Sequence, residues 1–214
     1  MKARPGREAI GNFTYRWSEG CFPVTADSLA LGDFVTLRRG DRLLDLGCGA
    51  GLLLLKCAAR QSGLVLFGME SDGAAAALAR ENLRENGLEG RILTADAAGA
   101  LPAGMDVVVT NPPWYPQGAG TPAGPAKTED LSLSAWVEAG AGALVPGGRL
   151  ALVHRADRLT DLLYALRGAG VEPKRLRLLQ HTAATPPSAV LVEAVKGGRP
   201  GLSLLPTKFL SEEA

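Results

Sequence analysis

Histidine and cysteine are scarce: the 214 residues hold two of the first and three of the second. His154 and His181 stand alone, and Cys21, Cys48 and Cys57 are odd in number and lack Cys-x-x-Cys spacing. That pattern excludes a metal cluster of the usual ligand spacings and a disulfide framework, and reduced thiols fit a cytosolic protein. Long apolar runs are missing too, so no stretch is suited to crossing a bilayer as a helix. The basic start, Met1 to Arg7, is not followed by an apolar segment, and no secretory leader is expected. Also absent is a strong charge imbalance. At +1 the net charge neither announces nor excludes a polyanionic partner, because acids elsewhere can offset a basic face. Internal repeats are not found. A soluble, cytoplasmic chain of ordinary globular composition is expected, 46% hydrophobic and 21% charged, long enough for one domain with a sizeable core.

What is present is a rhythm. Arg42–Leu46, Val65–Glu70, Arg91–Asp96, Asp106–Thr110 and Arg149–His154 are short apolar runs that read as buried strands. Helices are expected over Leu52–Arg60, from the Asp72 cap to Asn86 with Gly87 as its stop, over Leu131–Leu144, and over Leu159–Gly168. This alternation predicts a parallel sheet covered by helices on both faces. Arg175–Gln180 and Ala189–Val195, joined through Pro186-Pro187, predict an antiparallel pair at one sheet edge. The expected fold is therefore α/β: a seven-stranded, mostly parallel, doubly wound sheet with an antiparallel edge strand. Residues 1–40 read as a preamble packed on the core, 41–198 as the main domain and 199–214 as its tail. Within the preamble, Thr25-Ala26-Asp27-Ser28 supplies the cap for a helix over Leu29–Val35. Gln117–Asp130 is a Gly/Pro-rich loop of a length that usually has function or disorder behind it.

The most specific signal is Asp45-Leu46-Gly47-Cys48-Gly49-Ala50-Gly51. Glycines at the first strand–helix turn let a ligand approach the backbone, with the helix N-terminus facing it. A dinucleotide fingerprint would need a third glycine where Leu52 stands. A carboxylate at Asp45 would repel a pyrophosphate, yet it suits a cationic ligand. Glu70 ends the second strand, where an acid can accept hydrogen bonds from ribose hydroxyls. Asp96, followed by Ala97, ends the third and is placed to accept from an adenine amino group. Three acids on successive strand ends describe a site for a positively charged nucleoside, S-adenosylmethionine.

Asn111-Pro112-Pro113-Trp114 follows the fourth strand, at the carboxyl end where open α/β sheets place ligands. Two prolines stiffen it and cannot continue a ladder. The Asn111 amide and the Pro112 carbonyl can accept hydrogen bonds from a planar –NH2, and Trp114 can cover the attached π-system. The plain alternative is a Pro-terminated strand followed by a core tryptophan. Tyr15 and Trp17 can stack on RNA or pack the preamble, and packing is the expectation.

On these motifs the chain resembles class I S-adenosylmethionine-dependent methyltransferases, with Asp45–Gly51 as motif I, Glu70 as motif II, Asp96 as motif III and Asn111–Trp114 as motif IV. The resemblance covers about residues 25–196. More narrowly, the chain is similar to the tRNA1(Val) adenine-N6 methyltransferase-like group through the Thr25–Leu31 preamble, the Asn-Pro-Pro-Trp turn, the Gly148–Val153 strand and the Val190–Gly198 tail. By that resemblance Asp27 and Ser28 lie over the cofactor, beside Asp45, Gly47, Cys48, Gly49, Gly51, Glu70, Asp96 and Ala97. One departure stands out: where the group often carries an Ala-Arg-His-Glu-like stretch, this chain has Ala126-Lys127-Thr128-Glu129.

The implied reaction is methyl transfer to an exocyclic amine, adenine N6 in tRNA first, with no metal. RNA would also need phosphate contacts, for which the candidates are Arg4, Arg7 and Arg16 before the core, Lys174, Arg175 and Arg177 near an edge strand, and Lys196, Arg199 and Lys208 near the tail. Scattered solvated charge is the competing reading. Other acceptors open to the same turn are a protein glutamine amide, guanine N2 of rRNA and a small molecule. From another class, a non-catalytic partner subunit would not need the intact glycine loop, acids and Asn111.

Overall fold

The apolar runs become strands because each is covered on both faces. In β3 (Arg42–Leu46) and its neighbours, alternate residues enter two separate cores. Leu43, Val107, Ala151 and Leu191 point into one, Leu44, Val108, Leu152 and Val192 into the other. The computed structural model describes residues 5–18, 21, 24–97, 99, 101–116, 128–129 and 132–211. In chain order the elements are β1 (Gly6–Ile10), β2 (Phe13–Trp17), α1 (Ala26–Phe34), β3, α2 (Leu52–Arg60), β4 (Val65–Glu70), α3 (Gly73–Glu85), β5 (Gly90–Thr94) and β6 (Met105–Thr110). Then come β7 (Tyr115–Pro116), β8 (Thr128–Glu129), α4 (Leu133–Ala143), β9 (Leu144–Arg155), α5 (Leu159–Gly168), β10 (Val171–Gln180), β11 (Ala189–Lys196), β12 (Ser203–Leu204) and β13 (Lys208–Phe209).

The main sheet runs β5-β4-β3-β6-β9-β11-β10, and all of these strands are parallel except β11. This is the expected seven-stranded, doubly wound α/β fold. Within the expected edge pair the antiparallel member is the inner one, because β11 slots between β9 and β10. Helices α1, α2 and α3 cover one face, and α4 and α5 cover the other. The strand order reverses between β3 and β6, so the loops after those two strands flank the switch point where such sheets bind ligands. No helix among the described residues is long and apolar enough to cross a membrane.

Several boundaries differ from expectation, each for a local reason. β5 ends at Thr94, which leaves Asp96 two residues beyond the strand and exposed, with Ala97 buried behind it. β9 starts at Leu144 rather than Arg149, because Met105 pairs with Leu144 before the register jumps to Val107 with Arg149. The intervening Val145–Gly148 interrupts the register, with Gly147 at φ 77°. β10 likewise starts at Val171 and breaks register between Pro173 and Arg175. In the tail, β12 and β13 each add a two-residue parallel pairing to β10. Most of the Gln117–Asp130 loop lies outside the described residues, apart from the parallel pairing of β7 with β8.

The preamble holds a hairpin with no forerunner in the sequence reading. β1 and β2 form a hairpin closed by Gly11-Asn12, with Gly11 at φ 63° and Asn12 at negative φ, the pattern of a type II′ turn. Two asparagines one turn apart, Asn82 in the last turn of α3 and Asn86 at its C-cap, hold it down. Asn86 Oδ1 accepts from Thr14 N (2.8 Å) while its Nδ2 donates to Thr14 O (2.8 Å). Asn82 does the same for Arg16 (3.1 and 2.9 Å) and also donates to Ala50 O at 2.8 Å. The side-chain amides thus act as a neighbouring strand for β2, and the second ties the hairpin to the glycine loop.

Candidate active site

At the end of β3 the chain turns through Gly47 (φ 75°), Gly49 (φ 52°) and Gly51 (φ 86°), a left-handed series that other residues adopt only under strain. Gly47 N and Cys48 N both donate to Met69 O (2.9 Å each), which pins the loop to the end of β4. Glu70 completes the pinning. One of its carboxylate oxygens accepts from Gly49 N (2.8 Å) and the other from Asp72 N (2.9 Å). Trp136 of α4 closes the floor: a Cβ on Gly47 would come within 3.0 Å of its ring, and its Nε1 donates to Thr110 Oγ1 at 2.7 Å.

Asp45 sits beneath this loop, 1% exposed, and its Oδ1 has no hydrogen-bond partner. Burial, and then the nearby Glu70 charge, hold its carboxyl well above the ordinary carboxylate range. An orphaned buried acid of this kind calls for a cationic partner. Beside it, α2 follows the N-cap Gly51 with no side-chain cap, so its first amides have no side-chain partner, and Leu52 and Leu53 of its first turn line the cleft. A Cβ on Gly49 would meet nothing within 4 Å, and the loop is open there. Cys48 is buried and its thiol is pushed up, which makes it filler rather than a nucleophile.

The opposite wall is the turn after β6. Trp114 Nε1 donates to Asn111 Oδ1 at 3.1 Å, and Asn111 Nδ2 donates to Ser28 Oγ at 3.0 Å. Indole nitrogen is only a donor, so this pair fixes which end of the amide faces which neighbour. One lone pair of Oδ1 remains for a ligand. Ser28 also accepts from Thr25 Oγ1 (3.0 Å), and Thr25 caps α1 by accepting from Ser28 N. Trp114 packs against the core and tilts toward His154, with ring centroids 6.4 Å apart. His154 is fully buried, and its pKa is drawn down to about 4 by burial and then by Arg158 and Arg155, so its imidazole is neutral near pH 7.

A single cleft joins these parts, with about 730 Å3 of empty space counting its open side. Asp27, Ser28, Asp45, Gly47, Cys48, Gly49 and Asn111–Trp114 all line it. Gly51, Glu70, Asp96 and Ala97 do not: Gly51 packs against Ala79, Glu70 is bonded to Gly49 N of the loop, and Asp96 lies exposed beyond the end of β5. Tyr15, Thr25 and Leu53 line it without having been singled out as site residues. Tyr15 is core, as expected, but it is also cleft wall, and burial pushes its phenol up. The Thr25 cap was legible; the hairpin that brings in Tyr15 was not.

The basic residues do not form one surface. Arg7 and Arg16 are cross-strand partners on the hairpin, and Arg16 pairs with Glu85. Lys174, Arg175 and Arg177 lie on β10 at the other side of the sheet. Arg175 is committed internally, bonded to Phe34 O, Thr36 Oγ1 and Glu193 and stacked over the Phe34 ring at 4.7 Å. Lys196 donates to Ala141 O and Leu144 O (2.8 Å each) at the end of α4. Lys208 bonds Asp33, and Lys174 donates to the carbonyl of exposed Arg199. Arg4 lies outside the described residues.

A doubly wound sheet with a glycine turn, an orphaned acid and an Asn-Pro-Pro-Trp turn at its switch point is the frame of a class I methyltransferase. The methyltransferase small-domain family matches residues 26–164, and the chain belongs to it. It is an S-adenosylmethionine-dependent methyltransferase. Among its relatives is a tRNA1(Val) (adenine(37)-N6)-methyltransferase of Dickeya chrysanthemi, 32% identical over 82% of this chain and 73% of that one. Another is a 4-amino-L-phenylalanine/4-methylamino-L-phenylalanine methyltransferase of Streptomyces pristinaespiralis, 33% identical over 69% of this chain and 56% of that one. The fold is shared with a predicted O-methyltransferase of Agrobacterium tumefaciens, with a TM-score of 0.69 at 23% identity over 86% of each chain.

Proposed function

We propose that this methyltransferase acts on an amine conjugated to an aromatic ring, with adenine N6 in tRNA as the acceptor. The observation that carries this is the orientation of Asn111: Trp114 Nε1–H donates to Oδ1 and Nδ2 donates to Ser28 Oγ, which fixes the amide with one lone pair of Oδ1 left to accept from a ligand. Together with the Pro112 carbonyl it can take both protons of one –NH2. In an aromatic amine the nitrogen lone pair is delocalised into the ring. Two hydrogen bonds from the –NH2 favour a pyramidal nitrogen and aim its lone pair, so alignment and electrostatics provide most of the catalysis. The two relatives described above act on adenine and on 4-aminophenylalanine, both of them ring amines, which supports that acceptor class. The tRNA assignment draws on the first, whose likeness spans more of the chain.

S-adenosylmethionine supplies an electrophilic methyl group on its sulfonium. Asp45 is assigned to the cofactor's ammonium group and the open start of α2 to its carboxylate, a match of charge at both ends. Glu70 holds Gly49 in place and keeps lone pairs for a ribose, with Asp96 and Ala97 on the adenine side. Trp114 covers the acceptor ring, a stacking contact of about 1–3 kcal/mol. Residues 1–40 and 199–214 are assigned to the same domain as 41–198. For RNA, Arg7 on the hairpin and Lys174, Arg177 and Arg199 by the β10 edge are the available cations, while Arg175 and Lys196 serve the fold. The enzyme is placed in the cytoplasm, where tRNA is.

The test is incubation with methyl-labelled S-adenosylmethionine and bulk tRNA, rRNA or release factor in turn, followed by nucleoside or amino-acid analysis. Label in N6-methyladenosine from tRNA is expected. Label confined to protein, or to guanine of rRNA, would refute the acceptor assignment.

A further inference from the structure

Ser28 occupies a place that cofactor contact alone does not account for. It is 8% exposed, at the start of α1, and its hydroxyl oxygen accepts two hydrogen bonds: from Thr25 Oγ1 and from Asn111 Nδ2, both at 3.0 Å. An amide that presents one oxygen lone pair to an acceptor must be fixed at both ends, since rotation about its last bond is soft. Trp114 fixes the oxygen end and Ser28 the nitrogen end. These two anchors lie on opposite sides of Asn111 in the chain, one three residues after it and one eighty-three before. From this we infer that Ser28 is a positioning residue for methyl transfer, acting through Asn111, rather than a cofactor ligand. It links the preamble to the acceptor turn, so the N-terminal helix helps to set the aim of the reaction.

The inference rests on the acceptor role proposed for Asn111, and the test separates the two. Wild type, Ser28→Ala, Ser28→Thr and Asn111→Ala are compared in single-turnover methyl transfer to whichever acceptor wild type labels, with cofactor affinity measured by calorimetry. Because an error of about 1 Å in aim costs about 100-fold, Ser28→Ala should slow transfer by about 10- to 100-fold while cofactor affinity stays within about 2-fold. Ser28→Thr, which keeps the hydroxyl, should retain most of the rate. In the background of Asn111→Ala, removing Ser28 should cost nothing further. Selectively 15N-labelled asparagine adds a readout free of any acceptor: the Asn111 Nδ2 protons should exchange faster in Ser28→Ala.

An inactive Asn111→Ala beside a Ser28→Ala of normal rate would overturn the inference and leave the role of Asn111 standing. Loss of cofactor affinity with an unchanged single-turnover rate at saturation would return Ser28 to the cofactor site. An active Asn111→Ala would remove both.

Discussion

Replacing Asp45 with asparagine should weaken cofactor binding and strengthen the empty protein. The side chain is 1% exposed, its Oδ1 is unpartnered, and burial followed by the Glu70 charge raises its pKa well above 3.8. A folded-state pKa above the unfolded one means that the folded protein holds the proton more tightly. The associated stability is fully present below pH 3.8 and is lost as pH rises through the raised value. At neutral pH the empty protein therefore carries the cost of a buried, unsatisfied acid, about 1–3 kcal/mol. Asp45→Asn removes most of that cost, and Tm should rise by about 2–4 °C per kcal/mol recovered in a chain of this size. Binding a cation reverses the sign, because the charged carboxylate is then the favoured form. Affinity for S-adenosylmethionine should fall about tenfold for each pH unit below the raised pKa, and binding there should release a proton. Losing one partner of a buried charge pair should cost about 2–5 kcal/mol of affinity in Asp45→Asn. Calorimetry in two buffers of different ionisation enthalpy counts the proton, and thermal melts give the stability. A flat pH dependence of Kd, or an Asp45→Asn protein that melts lower and binds normally, would refute this account of Asp45.

The other predictions are smaller in scope. Asn82→Ala removes a fully buried side chain and leaves the part-buried Arg16 N–H and C=O and the buried Ala50 C=O without that partner, so chemical denaturation should show a loss of about 2–4 kcal/mol. Cofactor affinity should fall with it, because the hairpin carrying Tyr15 loses its tie to the glycine loop. His154 titrates near 4 in the fold against 6.5 outside it, so its contribution to stability is present above pH 6.5 and lost as pH falls toward 4. Melting curves of wild type and His154→Phe should accordingly diverge only on the acid side of pH 6.5. Gly47→Ala puts a Cβ within 3.0 Å of Trp136 at φ 75°, and a loss of about 1–3 kcal/mol in stability is expected from denaturation.

How far a residue could be read from sequence depended on whether its chemistry is local. Strands β3, β4 and β6 bury most of their residues, so their continuous apolar runs announced them, and their ends placed Asp45, Glu70 and Asn111 correctly relative to the sheet. Asp72 and Gly87 marked α3 for the same reason: a cap accepts from amides within three residues, and a positive φ belongs to one residue. The hairpin gave little apolar signal because β1 exposes Arg7 and Glu8 in succession and the two strands bury little except Ile10 and Tyr15, which left the Gly11-Asn12 turn as its one local mark. Its stability comes from Asn82 and Asn86, more than sixty residues away, and no local pattern encodes such a pairing. Glu70 was found as a site acid, but its bond to Gly49 N requires the loop and the strand end to meet in space.

Charge was the least legible property. Arg175 and Arg177 are two residues apart on one strand and look alike in sequence, yet Arg175 lies against Phe34 and Glu193 and bridges α1 to the β10–β11 pair. Glu193, 3% exposed, also accepts from Thr36 N and Thr36 Oγ1, so this cluster fixes the end of α1. The start of the same helix holds Thr25 and Ser28. A cation counted toward RNA is thus part of the frame that presents the acceptor turn, and neutralising it would disturb catalysis through α1 rather than through phosphate binding. Salt separates the two routes: phosphate contacts weaken steeply with ionic strength, whereas a half-buried pair is screened much less. A defect in Arg175→Met that persists unchanged across salt therefore belongs to the frame, and one that converges with wild type at high salt belongs to the RNA.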